Sequence, residues 1–151
     1  EVQGFTSPSA DSPLNAFKLV ESVGGTYHYL GKPLTVVAGA VTISTFIKKG
    51  GRDWVFLTDA NTGIGKYFDV NNGVKGSDVG AVTSSNIEEL TDGWYRCSFT
   101  STATTTSFPV VYLANADNSI SYTGDGTSGI YILISRGNDY YKSSGDLLWS
   151  R

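Results

Sequence analysis

The sequence contains no methionine, one cysteine, one histidine and four prolines in 151 residues. With Cys97 alone, neither an intramolecular disulfide nor a thiolate metal cluster can form, so an apolar core has to hold the fold. Cys97 lies in Tyr95-Arg96-Cys97-Ser98-Phe99, on the same strand face as two aromatics, and reads as a small buried hydrophobe. Any Ser-His-Asp triad would have to use His28, but no nucleophile-elbow motif accompanies Tyr27-His28-Tyr29, so His28 reads as a packed or exposed side chain. Basic clusters are also scarce. None is larger than Lys48, Lys49 and Arg52, and the net charge is -3, so nucleic acid is not an expected partner. The longest aliphatic stretch, near Ile130 to Ile134, is far short of the roughly 20 residues that span a bilayer, so no membrane insertion is expected. The N-terminus lacks the basic and apolar regions of a signal peptide, and a soluble chain is expected. Starting at Glu1 without a methionine, the chain reads as an excised or processed piece of a larger parent protein.

What is abundant points to strands and turns. There are 18 glycines, and we count 18 serines and 16 threonines, beside 40% hydrophobic and 13% aromatic residues. Residues 1–151 therefore read as one globular all-β domain. Period-two alternation or short apolar runs predict strands at Phe17 to Glu21, Tyr27 to Leu30, Leu34 to Val37, Ala40 to Lys48, Asp53 to Thr58, Lys66 to Val70, Trp94 to Thr100, Phe108 to Ala114 and Gly129 to Ser135. Gly24-Gly25, Gly50-Gly51, Asn71-Asn72-Gly73, Asp92-Gly93 and Gly124-Asp125-Gly126 supply turns between them. Two packed antiparallel sheets, a β-sandwich of jelly-roll type, are the expected architecture. The one helical signal is Ser85-Asn86-Ile87-Glu88, whose capping-box spacing predicts at most a single turn, with Glu88-Glu89 as a solvated turn. The Thr-rich stretch Ser101 to Ser107 suits an exposed strand or hairpin, and no internal repeat or domain boundary is evident.

Alternation divides each strand into two faces. Val41, Ile43, Thr45 and Ile47, Val55 with Leu57, Phe68 with Val70, Tyr95 with Cys97 and Phe99, and Ile130 with Ile132 and Ile134 are the inward sets. The outward sets hold Phe46, Lys48, Trp54, Phe56, Tyr67, Asp69, Trp94, Arg96 and Tyr131. Flat rings interleaved with charged groups suit a sugar, whose CH face packs on an aromatic plane and whose hydroxyls accept and donate bidentate hydrogen bonds. The candidate carbohydrate-binding residues are Trp54, Tyr67, Asp69 and Arg96, with Phe46, Tyr112 and Tyr131. The same rings equally suit ordinary packing or a subunit interface, and Trp94, just after a turn, reads as packing. No spacing brings carboxylates such as Asp59 and Asp69 together as an acid and base, so a polysaccharide-cleaving enzyme is the weaker expectation. Oxygen donors gather in Ala116-Asp117-Asn118 and in Tyr122 to Thr127, making Asp117 and Asp125, with Asp11, candidate ligands of a structural calcium.

Five stretches together resemble one family. They are Phe17-Lys18-Leu19-Val20-Glu21-Ser22, Thr42 to Lys48 running into Gly51-Arg52-Asp53-Trp54-Val55, Asp92-Gly93-Trp94-Tyr95-Arg96-Cys97-Ser98, Tyr112 to Asp117, and Tyr122-Thr123-Gly124-Asp125-Gly126-Thr127-Ser128-Gly129-Ile130-Tyr131-Ile132. This ordered series, from about Phe17 to Ile132, is similar to the carbohydrate-binding-module-like jelly-roll domains of bacteriophage tail, fibre and other structural proteins. The resemblance implies a concanavalin-like sandwich that is non-catalytic, binds a polysaccharide or cell-surface glycan, is located in a virion or outside the cell, and in some members carries calcium. A virion structural or homo-oligomerisation domain without glycan binding is the alternative expectation.

Overall fold

A computed structural model describes residues 2–5, 14–31, 33–135, 141–143 and 146–148, with side chains for residues 16, 18–31 and 33–132. In chain order the strands are β1 (Val2–Phe5), β2 (Leu14–Val20), β3 (Tyr29–Gly31), β4 (Leu34–Thr35), β5 (Gly39–Gly50), β6 (Trp54–Asp59), β7 (Ile64–Asp69) and β8 (Val74–Val79). They continue with β9 (Ser84–Glu89), β10 (Trp94–Ala103), β11 (Thr106–Ser107), β12 (Pro109–Ala114), β13 (Gly129–Ser135), β14 (Tyr141–Ser143) and β15 (Asp146–Leu148). The larger sheet runs β1-β2-β13-β5-β10-β9, the smaller β3-β12-β6-β7-β8, and β4 pairs with β11. All pairings are antiparallel except β15, which lies parallel to β5 and carries β14 on its other side. The chain passes between the two large sheets directly from β2 to β3, β5 to β6, β8 to β9 and β12 to β13, and by way of the β4–β11 pair from β3 to β5 and from β10 to β12, and the result is an all-β antiparallel sandwich.

The sequence alternation decides which face is buried. Val41, Ile43, Thr45 and Ile47 on β5 are almost fully buried, as are Val55 and Leu57 on β6, Phe68 on β7, Cys97 and Phe99 on β10, Leu113 on β12, and Ile130 and Ile132 on β13. The apolar side chains among these form one cluster shared by the two large sheets. Period-two placement of β-branched and aromatic residues makes strands the conformation in which all of them reach one core.

Five strands, β1, β8, β9, β14 and β15, lie outside the expected set. Val74–Val79 and Ser84–Glu89 are β8 and β9, edge strands of the two sheets. Ser85-Asn86-Ile87-Glu88, expected as a helical turn, lies inside β9, where Ile87 stands opposite Cys97 and packs on the core. Burying Ile87 while pairing every residue from Ser84 to Glu89 with β10 outweighs a cap that has no apolar run to follow it. Glu88 and Glu89 are exposed on that edge, where charge discourages further strand pairing. The only helical element among the described residues is a 3-10 turn at Thr91–Gly93, with Asp92 at φ 58°.

A turn repeat passes unnoticed in the composition. Asp59-Ala60-Asn61-Thr62-Gly63 closes β6 to β7, and Asp69-Val70-Asn71-Asn72-Gly73 closes β7 to β8. In both, the Asp side chain accepts the Asn backbone N–H (3.0 and 2.9 Å) and the Asp carbonyl accepts the Gly N–H (2.8 and 2.9 Å). Gly63 and Gly73, at φ 72° and 68°, take the left-handed conformation that ends each turn.

Candidate functional site

The outer face of the smaller sheet carries a row of rings. Tyr29, Tyr112, Phe56 and Tyr67 are register partners on β3, β12, β6 and β7, so strand pairing sets the four side by side. Ring centroids are 5.1 Å apart for Tyr29 and Tyr112, 6.1 Å for Tyr112 and Phe56, and 4.4 Å for the stacked Phe56 and Tyr67. Tyr27 joins the row edge-on, 6.5 Å from Tyr112. Trp54 occupies the next row, half-buried beside Ala114 and Asp69. Phe56, Tyr67 and Ala114, with Trp54, Tyr112, Val79 and Ile120 around them, form a second apolar cluster outside the main core.

Burial raises the Tyr112 phenol above its ordinary pKa, and the neighbouring Tyr29 and Tyr27 add to the shift. Burial likewise raises Tyr67, with Asp117 contributing. Both phenols stay neutral at physiological pH and keep the ability to donate and to accept.

The seven carbohydrate-binding candidates divide between opposite faces. Trp54, Tyr67, Asp69 and Tyr112 belong to the smaller sheet. Phe46, Arg96 and Tyr131 lie on the outer face of the larger one, where Arg96 is flanked by Phe46 and Glu88, and Tyr131 by Lys18 and Lys48. No single surface brings all seven together. Arg96 Nη2 donates to Ser44 Oγ at 3.3 Å, and Lys18 Nζ stands 5.8 Å from the Tyr131 ring centre. Trp94, opposite Lys48, is buried, and its indole N–H has no acceptor among the described residues. Asp69 is buried too. Its carboxylate accepts from the backbone N–H groups of Asn71 and Asn72 and from Asn72 Nδ2, so it builds the turn.

The calcium candidates are likewise engaged. Asp117 accepts from the Ser77 backbone N–H at 2.9 Å and from Ser77 Oγ at 2.8 Å. Asp125 accepts from both the N–H and the hydroxyl of Thr127 and of Ser128, and the Ser128 hydroxyl is the chief reason its carboxyl is held well below the usual range. Asp11 lies outside the described residues. Among the described residues no three His, Cys, Asp or Glu side chains converge as ligands.

Four polar residues, Glu21, Arg52, Tyr122 and Asp125, meet in a different place. Glu21, fully buried at the end of β2, accepts from Arg52 Nε and Nη2 at 2.7 Å each, from the Tyr122 hydroxyl at 2.8 Å and from the Asp125 N–H at 2.7 Å. The Arg52 guanidinium also stacks 4.7 Å from the Tyr122 ring centre. Burial raises the Glu21 carboxyl, but the hydrogen bonds from Arg52, Asp125 and Tyr122 outweigh it and leave the group below its ordinary value. His28 is packed alongside. The Ser22 N–H donates to Nδ1 at 3.3 Å, which leaves Nε2–H to donate to the Tyr122 carbonyl at 3.3 Å. A pocket of about 140 Å³ opens here, lined by Leu19, Val20, Ser22, Tyr27, His28 and Tyr29.

The chemistry available on the ring row is stacking and hydrogen bonding. Sequence reasoning identified Tyr67 and Tyr112 but left out Tyr27 and Tyr29. The signal for these was the alternation in Tyr27-His28-Tyr29, which places both tyrosines on one side and the buried histidine on the other. Compared with known proteins, the chain matches no family model and no curated protein.

Proposed function

We propose that the chain is a non-catalytic glycan-binding module, part of a phage structural or tail protein as the sequence resemblance implies, and that the ring row on the smaller sheet is its platform. The observation that carries this reading is the line of aromatic side chains on adjacent strands, with Tyr27 and Tyr29 more than half exposed at one end. Exposed rings cost solvation that packing against a sugar CH face recovers, and the tyrosine hydroxyls supply polar contacts at the rim. A binding role is further supported by the carboxylates, since Glu21, Asp59, Asp69, Asp117 and Asp125 each hold backbone or side-chain donors of the fold itself. The alternative is that another subunit covers Tyr27 and Tyr29, a reading favoured by Val23, which is also exposed at 78%.

A glycan array combined with light scattering on the same sample separates the two. Selective glycan binding by a monomer, lost in Tyr29→Ala, is the expected result. A silent array together with a stable oligomer that Tyr29→Ala dissociates would replace the module with an assembly interface.

A further inference from the structure

The ring row is open at one end and closed at the other. Exposure falls along it, from 54% at Tyr29, through a half-buried Tyr112, to 6% at Phe56 and 4% at Tyr67. The closed end is covered by β8 and by residues 115–120. A Cβ on Gly76 would stand 2.6 Å from the Trp54 ring and 2.6 Å from Asp117 Oδ1, so the backbone of β8 lies directly against the tryptophan. The two hydrogen bonds from Ser77 to the Asp117 carboxylate fasten residue 117 to β8 at that place, and Ile120 packs on the covered rings. A sugar chain lying along the whole row would collide with this cover.

At the open end the row leads into the pocket, because Tyr27 and Tyr29 line both. Its volume of about 140 Å³ is close to that of a cavity of ~150 Å³ that admits one benzene-sized ring. The pocket thus admits no more than a benzene-sized part of one sugar residue, and the exposed part of the platform, Tyr27, Tyr29 and Tyr112, has room for little beyond it.

We infer that the site recognises the end of a glycan, seating the outer edge of the terminal residue in the pocket and stacking its neighbour on Tyr29 and Tyr112, and does not grip the interior of a chain. The inference rests on the glycan-binding reading of the same rings. It predicts a short ligand whose affinity stops rising once the terminal disaccharide is present, and an absolute need for a free chain end.

The test is an array of defined mono- to hexasaccharides, each printed with its outer end free and with that end capped, followed by titration of the best series against the wild-type chain. The expected result is binding to free-ended members only, with affinities of the disaccharide and hexasaccharide within about threefold. Binding to end-capped glycans, or a gain of roughly tenfold or more from disaccharide to hexasaccharide, overturns chain-end recognition and leaves the platform standing. A silent array overturns both. As a check on geometry, Asp117→Ala releases the cover from Ser77, and longer oligosaccharides should then gain affinity over the disaccharide. No length dependence in a folded Asp117→Ala protein would show that the cover does not limit the site.

Discussion

Replacing Glu21 by Gln tests what fastens the loops of the sandwich. The Glu21 side chain is 0% exposed and accepts four hydrogen bonds, two of them from Arg52, whose side chain is 23% exposed. Glutamine keeps the shape but offers one acceptor oxygen, and its amide nitrogen must face donors already in place. Removing one partner of a buried ion pair costs about 3–5 kcal/mol, and solvent reaching Arg52 argues for the lower end, about 3 kcal/mol. At ~2–4 °C per kcal/mol for a chain of this size, Tm should fall by about 6–12 °C at neutral pH. Thermal unfolding followed by circular dichroism reads this directly. The loss should also depend on pH. The folded carboxyl lies below its unfolded value of 4.5, so its stabilisation is complete above that pH and fades as pH drops through the folded value. Wild-type and variant curves should therefore converge in acid. Removing both charges, in Glu21→Gln with Arg52→Gln, should cost less than the sum of the single changes because no unpaired charge remains. A Tm change below about 2 °C for Glu21→Gln, or strict additivity in the double variant, would refute the clamp.

Other consequences follow from the same structure. Phe68→Ala removes a fully buried ring from the shared core and should lower stability by about 3–5 kcal/mol in urea unfolding. Asp69→Ala takes three acceptor contacts from the β7–β8 turn and should cost about 1–3 kcal/mol, whereas it should leave glycan binding intact in a folded protein, as read by array. Cys97 is fully buried and burial pushes its thiol far above the ordinary range, so a thiol reagent should label it only after unfolding, which mass spectrometry would show. Tyr29→Ala, at an exposed ring, should change stability by no more than about 0.5 kcal/mol while abolishing glycan retention in affinity electrophoresis.

Much of the sandwich was legible because alternation is a local signal. Val41, Ile43, Thr45 and Ile47 declared a buried face without reference to anything beyond their own strand. Two of the strands that escaped notice, β8 and β9, are polar edge strands whose identity depends on the neighbour they pair with. Val74–Val79 has only two valines in six residues, and Ile87 finds its place through Cys97 on β10. The site was legible only in part for a related reason. Alternation separates inward from outward residues within a strand, but it does not say to which sheet the strand belongs. Arg96 and Trp54 are both outward, yet β10 and β6 lie in different sheets, so one expected surface became two. Glu21, Arg52, Tyr122 and Asp125 hold three segments of chain together, which no spacing rule could reveal across separations of up to 104 positions.

That separation of faces also provides the most direct test of the central claim. A glycan that scores on the array should be titrated against wild type, Tyr29→Ala on the smaller sheet and Arg96→Ala on the larger one. The account predicts that Tyr29→Ala abolishes binding and that Arg96→Ala leaves it within about twofold. Loss of binding in Arg96→Ala with Tyr29→Ala unaffected would contradict it, moving the site to the opposite face of the sandwich.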